Sequence, residues 1–328
     1  MGRPLTRLVL FDGVDLLPDA WRPTLAPGPL RCFNPGLLRD GGGWLFAYRV
    51  VGPDGLRRIG LCRLDPRFGV VAGSAAPLSD SISFPPECGL GPRATSWFAD
   101  PRLYRLEGRL FVYWNSGWHD PHNHQFLQEL DTATLAPVGA PRELLLAGER
   151  QQIEKNWTIF GDGPLHAVYS IAPHRILRLS LRGEGPVVLT EAAVTAWDPG
   201  DFPLRFGALR GGAVPQRVGG RYVSFCHSVY GPGHGEYRYV PAVYTFAASF
   251  PFAPTGAPVH PVPLENPFGT STRNGKLNPA VSEVVYPCGA AFDDGRWVVS
   301  YGLNDESCAI AILSPDDVDA CVREVRQQ

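Results

Sequence analysis

The chain has 328 residues and a formal net charge of −2, with acidic and basic residues interspersed. No Lys/Arg-rich run marks a nucleic-acid binder, and no apolar run reaches the length of a membrane span. Gly (37) and Pro (33) together exceed one fifth of the chain and Met occurs once, a composition of many turns and few long helices. Seven cysteines are scattered without a CxxC pair, so neither a disulfide framework nor a zinc site is expected. A reducing compartment fits best. Residues 1–21 lack an apolar run of signal-peptide length, and the expectation is a cytoplasmic protein that binds neither nucleic acid nor membrane. Gly2 with Thr6 matches a myristoylation pattern, without a second anchor.

Short aromatic and β-branched runs separated by Gly/Asp turns dominate the chain, which reads as all-β. One unit recurs at residues 33–51, 99–116, 155–174, 211–229 and 286–305. Each copy has a polar or Gly/Pro opening, a short strand, a tight turn, and an aromatic-rich strand with a polar end. The turns fall at 40–43, 107–108, 161–163, 219–220 and 293–295. A period of roughly 50 to 75 residues is the scale of a long propeller blade. Stretches such as 57–64 and 240–247 supply outer strands. The Pro-rich segment 251–278 reads as a long loop. Residues 314–328 announce a helix, with Ser314 as N-cap, Pro315 next, Asp316 and Asp317 in the first turn, and Val318, Cys321, Val322 and Val325 as an apolar stripe. The expectation is a single all-β domain over 1–328, a five-bladed β-propeller with a short C-terminal helix at about 314–328.

In an antiparallel hairpin the start of the first strand lies beside the end of the second. That rule puts Asn34 and Arg49 at one end of the first unit, and Asp100, Arg102, Asn115 and Ser116 at the same end of the second. The third unit places Glu154, Lys155, Asn156 and His174 there, the fourth Arg210 and His227, and the fifth Tyr286, Asn304 and Asp305. Radial repetition gathers these ends around one mouth, a concave polar site with acids and cations.

Glycosidic cleavage needs a proton for the leaving oxygen and a nucleophile at the anomeric carbon. A partly buried Asp at a strand start, such as Asp100, suits the acid, although a nearby Arg102 lowers an Asp pKa. Glu154 is the first candidate for a base, ahead of Glu87 and Asp305. A phosphorylase needs cations instead, which Arg49, His174 and Arg210 supply. Tyr113, Trp114, Trp118 and Tyr301 lie near strand ends, where rings either stack on sugars or fill the core between sheets. His119, His122 and His124 suggest a metal by their spacing, but the run reads as a loop with no matching Cys or carboxylate cluster apart from Asp120, and no metal site is expected. Asn156-Trp157-Thr158 is a sequon that an intracellular chain would not use.

At these residues the sequence resembles glycoside hydrolase family 130, the mannoside phosphorylases and β-1,2-mannosidases. The similar motifs are FNPG (33–36) followed by a strand ending in Arg49, and DPR (100–102). Lys155-Asn156, His174-Arg175, a Gly/Pro-rich strand leading to His227, and the YPCGA…YGLND block at 286–305 complete them, in order across roughly residues 33–309. The resemblance implies a five-bladed propeller with Asp100 as general acid, Arg49 as phosphate ligand, His174 and Arg210 at further anion positions, and Asp305 on the sugar. Two departures stand out. The prolines before the fourth-unit strand are reduced to GGAVPQ (211–216), and Asn304-Asp305 stands where Ala-Asp is common. The expected function is cleavage or transfer of a β-mannoside-type bond, with catalytic residues Asp100 and Glu154. Asn34, Arg49, Arg102, Lys155, Asn156, His174, Arg210, His227, Tyr286 and Asp305 would bind substrate. No cofactor is expected beyond inorganic phosphate as a co-substrate. The alternative is a non-catalytic glycan-binding propeller. PPECG around Glu87 is also similar to a motif of fructan-cleaving propellers, but it precedes the DPR here.

Overall fold

The computed structural model describes residues 7–116, 122–231 and 236–325. After a first strand, β1 (Arg7–Leu10), the chain builds five antiparallel meanders. The first is β2 (Arg31–Asp40), β3 (Gly43–Val51) and β4 (Arg57–Leu64). The second is β5 (Ala99–Leu106), β6 (Arg109–Ser116), β7 (His124–Leu130) and β8 (Pro137–Leu146). The third is β9 (Thr158–Phe160), β10 (Leu165–Ser170), β11 (His174–Leu179) and β12 (Val187–Thr195).

The fourth opens on two short pieces, β13 (Leu209–Arg210) and β14 (Gln216–Val218), because Gly211, Gly212 and Pro215 interrupt the first strand. Both pair β15 (Arg221–Tyr230), followed by β16 (Tyr237–Ala247) and β17 (Pro254–Pro258). The fifth is β18 (Val281–Asp293), β19 (Arg296–Leu303) and β20 (Ser307–Leu313), and β1 completes it by pairing β20.

The second strand of each hairpin is a near-continuous apolar run because it is buried on both faces. In β3, Trp44, Phe46 and Tyr48 face a core shared with the fifth meander, while Leu45 and Ala47 face one shared with the second. The same alternation gives a core between the second and third meanders, the third and fourth, and the fourth and fifth. Each meander thus packs against its sequence neighbours, and the fifth against the first.

Two-residue turns at Glu107-Gly108 and Asp294-Gly295 have positive φ at both positions (50° and 77°; 48° and 71°), the twist that suits a tight hairpin.

The expected C-terminal helix is shorter than the sequence suggests, Pro315–Asp319. Ser314 caps it in a reciprocal box with Asp317. The chain then leaves the helix because Val322–Glu324 (β21) gains a ladder with β17. The Pro-rich segment read as loop likewise contains β17. No helix among the described residues is long and apolar enough to cross a membrane.

Candidate active site

The polar ends of the meanders meet at a cavity of about 340 Å³. Asn34, Arg49, Asp100, Asn115, Lys155, Asn156, Arg210, His227, Tyr286 and Asp305 line it, so ten of the residues anticipated from hairpin geometry converge from all five meanders. A larger cleft, about 610 Å³, opens beside the turn Gly161, Asp162, Gly163 and Pro164. It lies at the turn end of the sheets and takes none of the residues anticipated at the site.

Backbone strain aims four of these side chains. Asn34, Asp100, Asn156 and Asp305 have φ of 51°, 54°, 66° and 54°, a left-handed conformation that Asn and Asp tolerate better than most residues. The ladder slips at two of them, between Phe33 and Gly36 and between Ala99 and Arg102. Such bulges re-aim a side chain that strict alternation would bury elsewhere.

Asp100 accepts hydrogen bonds from Asn34 Nδ2 (2.7 Å) and Asn115 Nδ2 (3.4 Å) and pairs with Arg49 at 3.5 Å. Burial pushes its carboxyl up, but Arg49, Lys155, Asn34 and Arg102 together hold it below the usual carboxylate range. Asp305 goes the other way. Burial raises it, Arg49 opposes, the charge of Asp100 adds to the rise, and the result is above the ordinary value. Two carboxyls in one cavity are therefore pushed apart in acidity, and Asp305 is the one that holds a proton more readily. Burial also lowers Lys155. It brings His227 down to about 3, helped by Arg210, Lys155 and Arg102, so this imidazole is neutral at pH 7. Arg49 Nε and Arg57 Nε are buried without a protein partner.

Arg102 does not pair with Asp100. The bulge turns it beneath the cavity, where it is 1% exposed and donates to Gly212 O (2.6 Å), Trp157 O (3.4 Å), Asn156 Oδ1 (3.5 Å) and Tyr286 Oη (2.9 Å). Tyr286 in turn donates to Asn156 at 3.0 Å. One guanidinium thus ties the second, third, fourth and fifth meanders together. The first meander packs on the backbone of the same residue through Gly36, where a Cβ would lie 2.9 Å from the Arg102 Cα.

No family model and no curated protein sequence matches the chain. Solved structures do. The β-1,2-mannobiose phosphorylase of Listeria innocua, in complex with β-1,2-mannobiose, covers 95% of this chain and 98% of its own at 15% identity and a TM-score of 0.61. A structure from work on glycoside hydrolase family 130, described as mannoside phosphorylases and hydrolases that target β-1,2-mannosidic linkages in Candida mannan, gives 87% and 85% coverage, 14% identity and 0.60. A candidate glycosidase from Bacteroides thetaiotaomicron gives 87% of each chain, 14% and 0.63. The fold is like that of glycoside hydrolase family 130.

Within this family 130-like fold, three residues expected at the site do not line the cavity: Arg102, turned beneath it, and His174 and Glu154. His174 begins the third strand of its meander, one strand further out than the hairpin argument assumed. Its ring is fully buried against Tyr244 and Phe246, with Nε2 3.3 Å from the Tyr244 hydroxyl. Burial lowers it to about 4, which makes it a neutral core group and not an anion ligand. Glu154 is outside the cavity because Asn123 grips its backbone N–H and C=O, both at 2.5 Å. Its Oε1 accepts from Gln151 N and the Tyr169 hydroxyl. Burial raises its carboxyl, yet it faces no cavity residue.

Tyr113, Trp114 and Tyr301 are core between sheets. Trp118, His119 and Asp120, like Gly2 and Thr6, lie outside the described residues. His124 is held by Glu143 at 2.6 Å, and among the described residues no His/Cys/Asp/Glu group has metal-binding geometry.

The cavity also holds residues the hairpin rule missed: Arg57, Trp97, Tyr239, Leu277, Asn278 and Pro279. Arg57 opens a third strand, at the same end as the predicted pairs, and stacks its guanidinium 3.5 Å from the Trp97 ring centre. Extending the rule to third strands finds it. Leu277, Asn278 and Pro279 sit in an irregular segment without periodicity and left no such signal.

Proposed function

We propose that the five meanders are the blades of a five-bladed propeller, acting as one domain, and that its polar mouth is the active site of an enzyme that cleaves or transfers a β-mannoside-type glycosidic bond with inorganic phosphate as co-substrate. The observation that carries this reading is the cavity's charge pattern: two carboxyls, Asp100 and Asp305, among four cations, Arg49, Arg57, Lys155 and Arg210. A single glycoside has no need of four cations, whereas a glycoside together with a phosphate does. The mannoside choice rests on the family 130-like fold.

In this mechanism a phosphate oxygen bonds to the anomeric carbon as the glycosidic C–O bond breaks. The Asp100 proton goes to the leaving oxygen, and the products are a sugar 1-phosphate and the free acceptor. By themselves the cations favour the ionised form of Asp100. An anion on Arg49 and Lys155 offsets their charge and returns Asp100 towards protonation, so co-substrate binding and acid activation are coupled. Asn34 and Asn115 orient the carboxyl. If water replaced phosphate, the base would be Asp305, since Glu154 faces away.

The test is product analysis with β-linked mannobioses. Sugar 1-phosphate is expected in phosphate buffer, with little turnover in its absence. Free sugar alone, at equal rates with and without phosphate, would convert the reading to a plain hydrolase. Binding without any turnover would favour a glycan-binding propeller.

A further inference from the structure

The segment between β17 and β18, residues 259–280, has no regular structure, yet its backbone is gripped at several points. Two grips come from the block that carries Asp305. Asn304 and Asp305 both have left-handed backbone (φ 53° and 54°), which sends Asp305 into the cavity while its two neighbours reach the segment. Asn304 Nδ2 donates to Gly269 O and Ser271 O, each at 2.9 Å, and its Oδ1 accepts from Val284 N at 3.0 Å. Glu306, 9% exposed, accepts Arg273 N on one carboxylate oxygen (2.8 Å) and Asn274 N on the other (2.7 Å). Asn274 Nδ2 donates to Leu30 O (2.9 Å), and Arg31 donates to Asn274 O and Gly275 O. Immediately beyond these anchors, Leu277, Asn278 and Pro279 form a wall of the cavity.

A charged acceptor that satisfies two backbone donors outside any helix or sheet has one evident consequence: it fixes a segment that lacks a ladder of its own. The cavity so enclosed, about 340 Å³, is near the small end of the range for ligand sites. We propose that Glu306 and Asn304 are positioning residues that seat this segment as a wall and thereby restrict the enzyme to short, disaccharide-sized glycosides. The proposal rests on the carbohydrate reading of the cavity.

The segment supplies its own probe. Arg273 and Lys276 have exposed side chains, so trypsin can cut after each of them once the backbone leaves its seat. The experiment compares wild type with Glu306→Ala, Glu306→Gln and Asn304→Ala, each shown folded by its thermal melt. Cutting at Arg273 and Lys276, followed by mass, is expected to be about tenfold faster in Glu306→Ala and less so in Glu306→Gln, which retains one acceptor, since cleavage follows the open population. In parallel, kcat and KM are measured for a β-mannobiose and the matching mannotriose. Glu306→Ala is expected to raise the disaccharide KM with kcat held, and to raise the trisaccharide-to-disaccharide ratio of kcat/KM by about tenfold, the scale of a pocket-wall effect. Unchanged trypsin cutting in folded Glu306→Ala, or an unchanged substrate ratio, overturns the proposal while leaving the carbohydrate reading intact. A wild type that turns over neither sugar overturns both.

Discussion

Asp100 is a carboxylate whose environment argues against the role its position implies, and that tension is measurable. Asp100→Asn removes the proton carrier and keeps a side chain of the same size between Asn34 and Asn115, so turnover is expected to drop by about two to four orders of magnitude in a variant that its thermal melt shows to be folded. Wild-type kinetics in the purified variant would end the assignment. Arg49 is the cation that most strongly lowers Asp100. Arg49→Ala should therefore raise the Asp100 pKa. A general acid works only when protonated, so the alkaline limb of the pH–rate profile should move to higher pH, with a weaker KM for phosphate. A limb that stays put would separate Arg49 from the acid.

His227 has the opposite kind of leverage. Its folded-state pKa is depressed from 6.5 to about 3, so the unfolded chain takes up a proton that the native ring refuses as pH falls through that window. The stability it contributes is full above about pH 6.5 and is lost progressively below it. His227→Gln should show a flatter dependence of Tm on pH between 6.5 and 4 than wild type; parallel curves would show that His227 does not drive acid sensitivity.

At the scale of elements, the hairpins were legible because tight turns need Gly or Asp and doubly buried strands need unbroken apolar runs, as in β3 and β19. The polar ends were legible for the same reason, since antiparallel pairing leaves no freedom about which residues share an end. What escaped was set by bulges and by strand order. His174 looks like the end of a second strand in sequence, but β10 stops at Ser170 and His174 opens the next strand outward. Glu154 precedes Lys155 and Asn156 at the mouth, yet a side chain from another meander, Asn123, holds its backbone, which no local pattern announces.

The bulge at Asn34 also depends on a partner strand. A Cβ at Gly302 would sit 2.0 Å from Asn34 Oδ1 and 2.9 Å from its N. Gly302→Ala must displace Asn34, the donor to Asp100, at a cost of about 1–3 kcal/mol. A lower Tm together with reduced kcat is the expected result; a variant as stable and active as wild type would show the approach to be relaxed at no cost.

For the molecule as a whole, Arg102 is the side chain among the described residues whose hydrogen bonds tie four meanders together. In sequence it reads as part of a DPR motif beside a catalytic acid, and nothing local tells that its guanidinium is turned away to bind carbonyls from residues 157 and 212. Arg102→Met fills similar space but leaves Gly212 O and Trp157 O without their donor, each orphan costing about 1–3 kcal/mol. Unfolding by urea should show a large loss of stability, and because Asn156 and Tyr286 lose their anchor, catalysis should weaken even where the variant remains folded. Stability within about 0.5 kcal/mol of wild type, the range of an ordinary surface change, would remove Arg102 from this role.

The pairing of β1 with β20 has a bearing on how the molecule comes into being. Arg7–Leu10 emerges well before its partner, Ser307–Leu313, is made. At ribosomal speeds of about 5–20 residues per second, β1 waits tens of seconds with its ladder groups unmatched, while the meanders between can assemble in order of their emergence. The fifth meander is then completed by a clasp between two segments that lie far apart in the chain. A nascent polypeptide halted before residue 307 should carry β1 open to exchange and to capture by other strands, whatever the state of the meanders already made.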